Sequence, residues 1–218
     1  MKLKEKINIP NYTLGEEITN AIVHGLGALL GIAALILCVV FSTIHKNTLA
    51  IVSSCIYGST LVVLYTISCI YHSLKINNAK RIFRIIDHCS IFLLIAGTYT
   101  PYTLVTLKGI SGWITFGTVW TSAIIGIILN AIDLNKFKKF SMFLYIAVGW
   151  IIIFSFKTLI KNLARSGLYL LLAGGIVYTI GAIFYGLGKK KKYMHSVFHI
   201  FVLVASILQF FSIFFYVI

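Results

Sequence analysis

Seven apolar stretches follow one another along this chain of 218 residues, and each is long enough to cross a lipid bilayer. A helix needs about 20 apolar residues to span the hydrocarbon core. In lipid every backbone amide must be paired internally, so helices are the natural form of these stretches. The sequence therefore predicts an all-α integral membrane protein with a seven-transmembrane helix bundle. The stretches lie approximately at residues 20–44, 49–73, 84–106, 111–132, 140–160, 166–187 and 195–217.

Composition supports a membrane protein, because 59% of the residues are hydrophobic and only 11% are charged. A soluble globular domain has about a quarter of its residues charged. The polar breaks between the apolar stretches are short, so we expect residues 1–218 to form a single domain, and we expect the first stretch to be kept as a membrane helix. The four cysteines are scattered without a CxxC pair, which indicates neither a disulfide framework nor a cysteine zinc site. Pro101 falls inside the third stretch and predicts a kink.

The distribution of Lys and Arg predicts how the bundle is oriented. With seven spans, 14 of the 19 basic residues lie on the side of the N-terminus and 5 on the other side. Cytoplasmic loops carry the excess of Lys and Arg, so we expect the N-terminus in the cytoplasm and the C-terminus outside. Six or eight spans would remove this asymmetry. Basic residues next to apolar stretches also favour anionic lipid headgroups over nucleic acid as the partner, in a multi-pass protein of the cell membrane.

Polar residues in the predicted helices gather near their cytoplasmic ends. His195 and His199 are four residues apart and share one face of the seventh helix. Ser68 and His72 have the same spacing at the end of the second helix, and Asp87 lies about one turn into the third. Polar side chains are costly in lipid, so their gathering at one depth indicates a functional site.

Zinc is the ion that these residues suit. Imidazole nitrogen is a favoured zinc ligand, and three protein ligands plus water is the pattern of catalytic sites. We predict His72, His195 and His199 as ligands, with Asp87 either ligating directly or holding and activating the zinc-bound water. Ser68 would orient a ligand or that acid from behind. The alternative is that the histidine pair is interfacial, hydrogen-bonded to headgroups or to neighbouring residues.

Three further residues share one face of the first helix and are possible accessory residues of this site. Glu17, Asn20 and His24 follow a spacing of three and then four residues. His88 adjoins Asp87 in sequence and therefore points about 100° away from it on a helix, so we leave it out of the site.

The chain resembles the haemolysin III family in the order of four motifs, EEITNAIVHG, SCIYHS, AGTYTPY and HSVFH, and in the position of Asp87 ahead of the third. That family is the bacterial branch of the progestin and adipoQ receptors, which include the adiponectin receptors. The resemblance covers the chain from about residue 14 to its end. It implies seven transmembrane helices with the N-terminus inside and a zinc ion near the cytoplasmic face. By motif, the zinc ligands are His72, His195 and His199, with Asp87 holding the zinc-bound water and Ser68 adjacent.

Three functions remain open from the sequence. Proteins related to this family are linked to hydrolysis of lipid amides such as ceramides, which implies a zinc-dependent membrane hydrolase with a lipid-like substrate. The family name points instead to a pore-forming haemolysin. Against a pore, helices 4 to 6 have almost no polar residues at mid-depth. The third reading is a sensor of membrane homeostasis in which a structural zinc ion holds the bundle together.

Overall fold

All regular elements in the described part of the chain are helical, which confirms the predicted all-α class. The structure is a computed structural model that describes residues 7–188 and 191–218. Part of the charge count falls outside the described residues, namely Lys2, Lys4, Lys6, Lys189 and Lys190. The helices are α1 (Leu14–Ile44), α2 (Thr48–Ser73), α3 (Asn78–Pro101), α4 (Gly109–Gly149), α5 (Phe156–Asn162), α6 (Arg165–Leu187) and α7 (Met194–Tyr216).

Helices α1 and α3 both begin six residues before their predicted starts, because side chains cap their polar first turns. The Thr13 hydroxyl accepts a hydrogen bond from the Glu16 amide at 3.3 Å, and the Glu16 carboxylate accepts one from the Thr13 amide at 2.8 Å. At α3, the Asn77 side chain accepts a hydrogen bond from the Lys80 amide at 2.9 Å. Such caps satisfy amides that have no partner within the helix. The added turns carry charged residues that reach the candidate site.

Six helices in the described residues are long and apolar enough to cross a membrane. The helical run Gly109–Asn162 contains two of the predicted stretches, 111–132 and 140–160, and accounts for the difference from seven. Its 54 residues leave helical geometry at Asp133, where φ is −158° and ψ is 95°. The Asp133 carboxylate accepts a hydrogen bond from the Lys136 amide at 3.0 Å, as a residue at the start of a helix does.

At Pro101, where the sequence predicts a kink, the structure shows a change in helix type. Regular α-helix ends at Pro101, and the chain continues as a π-helical segment, Tyr102–Leu107. Proline has no amide hydrogen and cannot continue the ladder of hydrogen bonds. The Thr103 hydroxyl donates to the carbonyl oxygens of Tyr99 and Thr100, each at 3.0 Å, and so satisfies carbonyls in the disturbed turn.

Helices α1, α2, α3 and α7 pack so that their polar ends meet at one end of the bundle. Close packing of α1 on α2 depends on small residues: a Cβ atom at Gly58 would lie 2.6 Å from the Leu35 Cα, and one at Gly31 3.3 Å from the Val62 amide nitrogen. Large apolar side chains such as Phe154 cover the outer surface of the bundle. The start of α1, the end of α2 and the starts of α3 and α7 therefore surround one site.

Candidate metal centre

Three imidazole rings meet where the end of α2 faces the start of α7. The Nε2 atom of His199 lies 3.0 Å from Nε2 of His195 and 3.2 Å from Nε2 of His72. One ring nitrogen of each residue lies within 4.8 Å of the other two. All three residues are buried, with exposed fractions of 2–8%. The structure thus brings together the three predicted ligands in an arrangement that can hold a metal ion.

Two of the three separations between these nitrogen atoms are close to the spacing of ligands in a tetrahedral zinc site. Zinc binds imidazole nitrogen at about 2.0–2.1 Å, so two such ligands at a tetrahedral angle lie about 3.3 Å apart. The observed separations of 3.0 and 3.2 Å are close to this value. Converging Nε2 lone pairs repel one another, and a buried neutral imidazole is costly without a partner. A cation between them satisfies all three nitrogens at once.

His72 is held from behind by Glu17, and a second predicted accessory residue, Asn20, lies beside it. Its Nδ1 atom donates a hydrogen bond to Glu17 Oε2 at 2.6 Å, and Asn20 Nδ2 lies 3.4 Å from the same atom. A carboxylate in this position keeps the ring proton on Nδ1 and leaves the Nε2 lone pair directed at the cluster. The pairing of carboxylate and histidine therefore fixes the tautomer that metal binding requires.

Glu17 in turn is held by Lys80, a residue that the sequence reasoning missed. Lys80 Nζ donates to Glu17 Oε1 at 2.7 Å and to the Leu74 carbonyl oxygen at 2.9 Å. Lys80 is only 2% exposed, although it lies in the segment predicted as a polar connection. The available signal was that an acid on a membrane helix needs a counter-charge. A chain of contacts thus runs from Lys80 through Glu17 to His72.

His24, the third accessory residue, supports a second predicted ligand. Its Nε2 atom is hydrogen-bonded to Nδ1 of His199, 2.5 Å away. Its ring also meets the Tyr65 ring edge to face, with centroids 5.0 Å apart. When His199 carries its proton on Nδ1, His24 accepts the hydrogen bond and the Nε2 atom of His199 faces the cluster.

Asp87 and Ser68 line the cavity beside the histidines and lie outside the three-histidine group. Among the described residues, the group whose ligand atoms lie within 4.8 Å of one another comprises only the histidines. Asp87 therefore does not belong to the group of ligand atoms that converge, and its predicted role at a metal-bound water stays a prediction. The buried Ser68 hydroxyl has no hydrogen bond of ordinary length to any described residue, but it lies close enough to interact with the Asp87 carboxylate. His88, which we left out, lines the same cavity.

A cavity of about 930 Å³ extends from the histidines into the bundle. Its walls include apolar side chains such as Ile91, Leu94 and Val202. It reaches Gln209, which lies about 15 Å beyond His199 at the rise of an α-helix. The Gln209 side chain is already satisfied there, since it accepts from the Tyr102 hydroxyl at 3.1 Å and donates to a carbonyl oxygen of α6 at 3.0 Å. The length and apolar walls suit an acyl chain.

The segment before α1 covers the histidine cluster, a feature that the sequence reasoning also missed. The Tyr12 ring stacks on His195, with centroids 4.8 Å apart and planes inclined by 13°. Burial raises the pKa of the Tyr12 phenol, so the residue stays neutral. Glu16 Oε1 accepts a hydrogen bond from the Tyr193 amide at 2.7 Å, which ties the start of α1 to the start of α7. Tyr12 lies outside every apolar stretch and has no helical spacing to any ligand.

Known proteins match this chain over a range that includes the whole candidate site. The family model described as Haemolysin-III related matches residues 12–210. The chain is 43% identical over 215 residues to Hemolysin-3 of Bacillus cereus, covering 99% of this chain and 98% of that protein. It is 41% identical over 205 residues to the Hemolysin-3 homolog of Bacillus subtilis (strain 168), covering 94% and 96%. It is 24% identical over 172 residues to the Monocyte to macrophage differentiation factor of Homo sapiens, covering 74% and 69%. Every residue of the metal centre lies within the matched range.

Proposed function

This chain, a multi-pass protein of the cell membrane, belongs to the haemolysin-III-related family, and we propose that it is a zinc-dependent membrane hydrolase. Its substrates are lipid-like amides of the ceramide type. The observation that carries this proposal is the convergence of three imidazole Nε2 atoms, 3.0 and 3.2 Å apart, at the end of an apolar cavity of about 930 Å³. A site placed in this way receives its substrate from the lipid phase.

The proposal includes seven membrane spans, with the run Gly109–Asn162 crossing twice. The 41 residues of α4 would measure about 61 Å as one straight helix, twice the hydrocarbon core of about 30 Å. The break at Asp133 and the lysines after it supply a polar connection. The charge bias of 14 to 5 then supports a cytoplasmic N-terminus and a metal centre near the cytoplasmic face.

Thiol labelling tests this topology. In a chain whose own cysteines have been replaced, cysteines placed at His45 and Asn135 should react with an impermeant reagent from opposite sides of the membrane. We expect Asn135→Cys to react only in opened cells or inverted vesicles, and His45→Cys to react in intact cells. Labelling of both positions from the same side contradicts the double crossing.

Each polar residue has a role that follows from its contacts. Zinc, when bound, polarises a carbonyl oxygen and lowers the pKa of water toward neutrality. Glu17 and His24 hold His72 and His199 in the protonation states that ligation needs. Asp87 lines the cavity beside the histidines, where its carboxylate orients the attacking water and takes a proton that it later gives to the leaving amine. The apolar walls hold the acyl chain and exclude bulk water.

The test is release of fatty acid from an N-acyl lipid by the purified protein, with zinc content measured on the same samples. We expect Asp87→Asn to keep its zinc and to lose about 10²–10⁴-fold in turnover, the range for a positioned acid or base. His45→Ala is the matched control, because His45 lies in the connection between α1 and α2, away from the cavity. Turnover that persists in Asp87→Asn removes Asp87 from the mechanism.

Two other functions each have an observation in their favour. The bacterial relatives are named Hemolysin-3, which favours a pore former. The buried cluster joins α2 to α7, which favours a structural zinc ion in a membrane sensor. Ion flux through reconstituted liposomes that histidine substitutions leave unchanged supports the pore. One retained zinc ion per chain with no turnover of any amide lipid supports the structural ion.

A further inference from the structure

Arg84 is a buried cation whose guanidinium lacks a full set of partners. It is 3% exposed and lines the cavity of the metal centre. Its Nη1 atom has no hydrogen-bond partner among the described residues, and it takes part in neither of the ion pairs found there. A guanidinium is charged at any physiological pH, and burial of an unpaired charge is costly. This site therefore calls for a negative charge.

Among the acids in the described part of the chain, Glu16 and Glu17 are engaged elsewhere and Asp87 is shared between Arg84 and other groups. Glu17 bonds to His72 and Lys80, and Glu16 accepts hydrogen bonds from Thr13 and Tyr193. Asp87, one turn after Arg84, interacts with it electrostatically but also faces Ser68 and His72. The cavity wall adds further positive charge here, from Lys191 and Lys192. Positive charge thus exceeds negative charge at the end of the cavity that holds the histidines.

We propose that Arg84 binds a phosphate group of the ligand at this end of the cavity. Guanidinium groups form paired hydrogen bonds to phosphate oxygens, and neighbouring lysines suit a group with more than one negative charge. Arg84 and Asp87 are three residues apart on α3, so their Cβ atoms lie about 5–6 Å apart. A phosphate on Arg84 would therefore lie next to the reacting centre, with an attached acyl chain extending into the apolar cavity.

This inference rests on the proposed function, because it narrows the substrate class from lipid-like amides in general to lipid-like amides that carry a phosphate headgroup. A free phosphate compound could offer Arg84 the same phosphate group as a lipid headgroup does. The experiment distinguishes these two sources of phosphate. The full-length protein in neutral-lipid nanodiscs is titrated with phosphatidic acid and with a diacylglycerol of the same acyl chains, which differ only in the phosphate. Inorganic phosphate is the third probe, and binding is followed by native mass spectrometry.

We expect the wild type to bind phosphatidic acid at least about tenfold more tightly than the diacylglycerol, as suits a charge-assisted paired hydrogen bond. Arg84→Gln should bring this ratio close to one, and Arg84→Lys should retain part of it. Arg81→Gln is the matched control, since Arg81 is three residues earlier on α3, donates to Asn78 at 3.5 Å and lies outside the cavity lining. It should leave the ratio unchanged.

Two results overturn the proposal: equal binding of the two lipids by the wild type, or an unchanged ratio in Arg84→Gln. The first comparison needs no variant, so a folding defect in Arg84→Gln does not block the test. Inorganic phosphate that binds as tightly as the lipid, and is lost in Arg84→Gln, supports the site with a free phosphate compound as its ligand. Binding of the lipid alone supports a headgroup as its ligand.

Zinc content and turnover of a neutral N-acyl lipid, measured on the same samples, separate this inference from the hydrolase proposal. A wild type that contains zinc and cleaves the neutral lipid, but shows no preference for phosphate, refutes the Arg84 site alone. A wild type without zinc or turnover that still prefers phosphatidic acid through Arg84 refutes the hydrolase alone.

Discussion

Replacing Glu17 by Gln should weaken metal binding and destabilise the fold, for two separable reasons. Glu17 Oε2 holds His72 Nδ1 at 2.6 Å, and loss of a carboxylate behind a ligating histidine lowers metal affinity about 10–100-fold. That loss corresponds to about 1.4–2.7 kcal/mol. Glu17 Oε1 also holds Lys80 Nζ at 2.7 Å, and Lys80 is 2% exposed. Breaking a buried ion pair by removing one partner costs about 3–5 kcal/mol, and the 16% exposure of the Glu17 side chain places the cost near the lower end.

A second substitution separates the two effects. Lys80→Met removes the buried charge, so the double variant Glu17→Gln/Lys80→Met should be more stable than Glu17→Gln alone. It should still bind metal as weakly as Glu17→Gln, because His72 has lost its carboxylate in both. Asp133→Asn is the control for removal of a distant acid, since Asn also caps a helix start.

The assays are chelator competition for metal affinity and thermal unfolding of the metal-free protein in detergent for stability. Metal affinity in Glu17→Gln within twofold of wild type would refute the role of the carboxylate behind His72. A double variant no more stable than Glu17→Gln would refute the buried pairing of Lys80 with Glu17.

Three further predictions follow from single contacts. His24→Leu removes the partner of His199 Nδ1 and should lower metal affinity about tenfold, as chelator competition measures; unchanged affinity would argue against His24 as its support. Tyr12→Phe keeps the ring stacked on His195 and should match the wild type in thermal unfolding. Tyr12→Ala should lose at least the stacking contribution of about 0.5–1.5 kcal/mol. Equal stability of the two variants would contradict the stacking of Tyr12 on His195. Gly58→Ala places a Cβ atom 2.6 Å from the Leu35 Cα and should lower the free energy of unfolding by about 1–3 kcal/mol. The control Gly117→Ala, whose Cβ atom has no neighbour within 4 Å, should not lower it. Equal effects of the two substitutions would contradict the close packing of α1 on α2.

Hydropathy predicted the position of most helices because exposure to lipid demands continuous apolar sequence. Helices α2, α6 and α7 begin and end within about one residue of the predicted stretches. This agreement is expected where a helix must be apolar over the whole thickness of the hydrocarbon core. The starts of α1 and α3 were predicted six residues late, because the capped first turns are polar and hydropathy does not register them. Those turns carry Glu17, which helical spacing had already indicated, and Lys80, which the late start of α3 left out of the site.

Helical spacing predicted which side chains share a face, and the common depth of the polar residues predicted that the faces of α2 and α7 meet. His72 of α2, the pair of α7 and the face of α1 contact the histidine cluster, as their spacing indicated, whereas Ser68 lies outside it. Contacts that depend on packing between distant segments left no periodic signal. Tyr12 on His195 is one such contact, and the burial of Lys80 and Arg84 is another. Both depend on how α1, α3 and α7 pack, which a single sequence does not encode as a pattern.

The most direct test of the metal centre is the number of zinc ions per chain in purified protein, measured by elemental mass spectrometry. We expect one zinc ion per chain in the wild type and in His45→Ala, and almost none in His72→Ala, His195→Ala and His199→Ala. Equal zinc in all five proteins, or none in the wild type after growth with ample zinc, would contradict the binding of zinc by these three histidines.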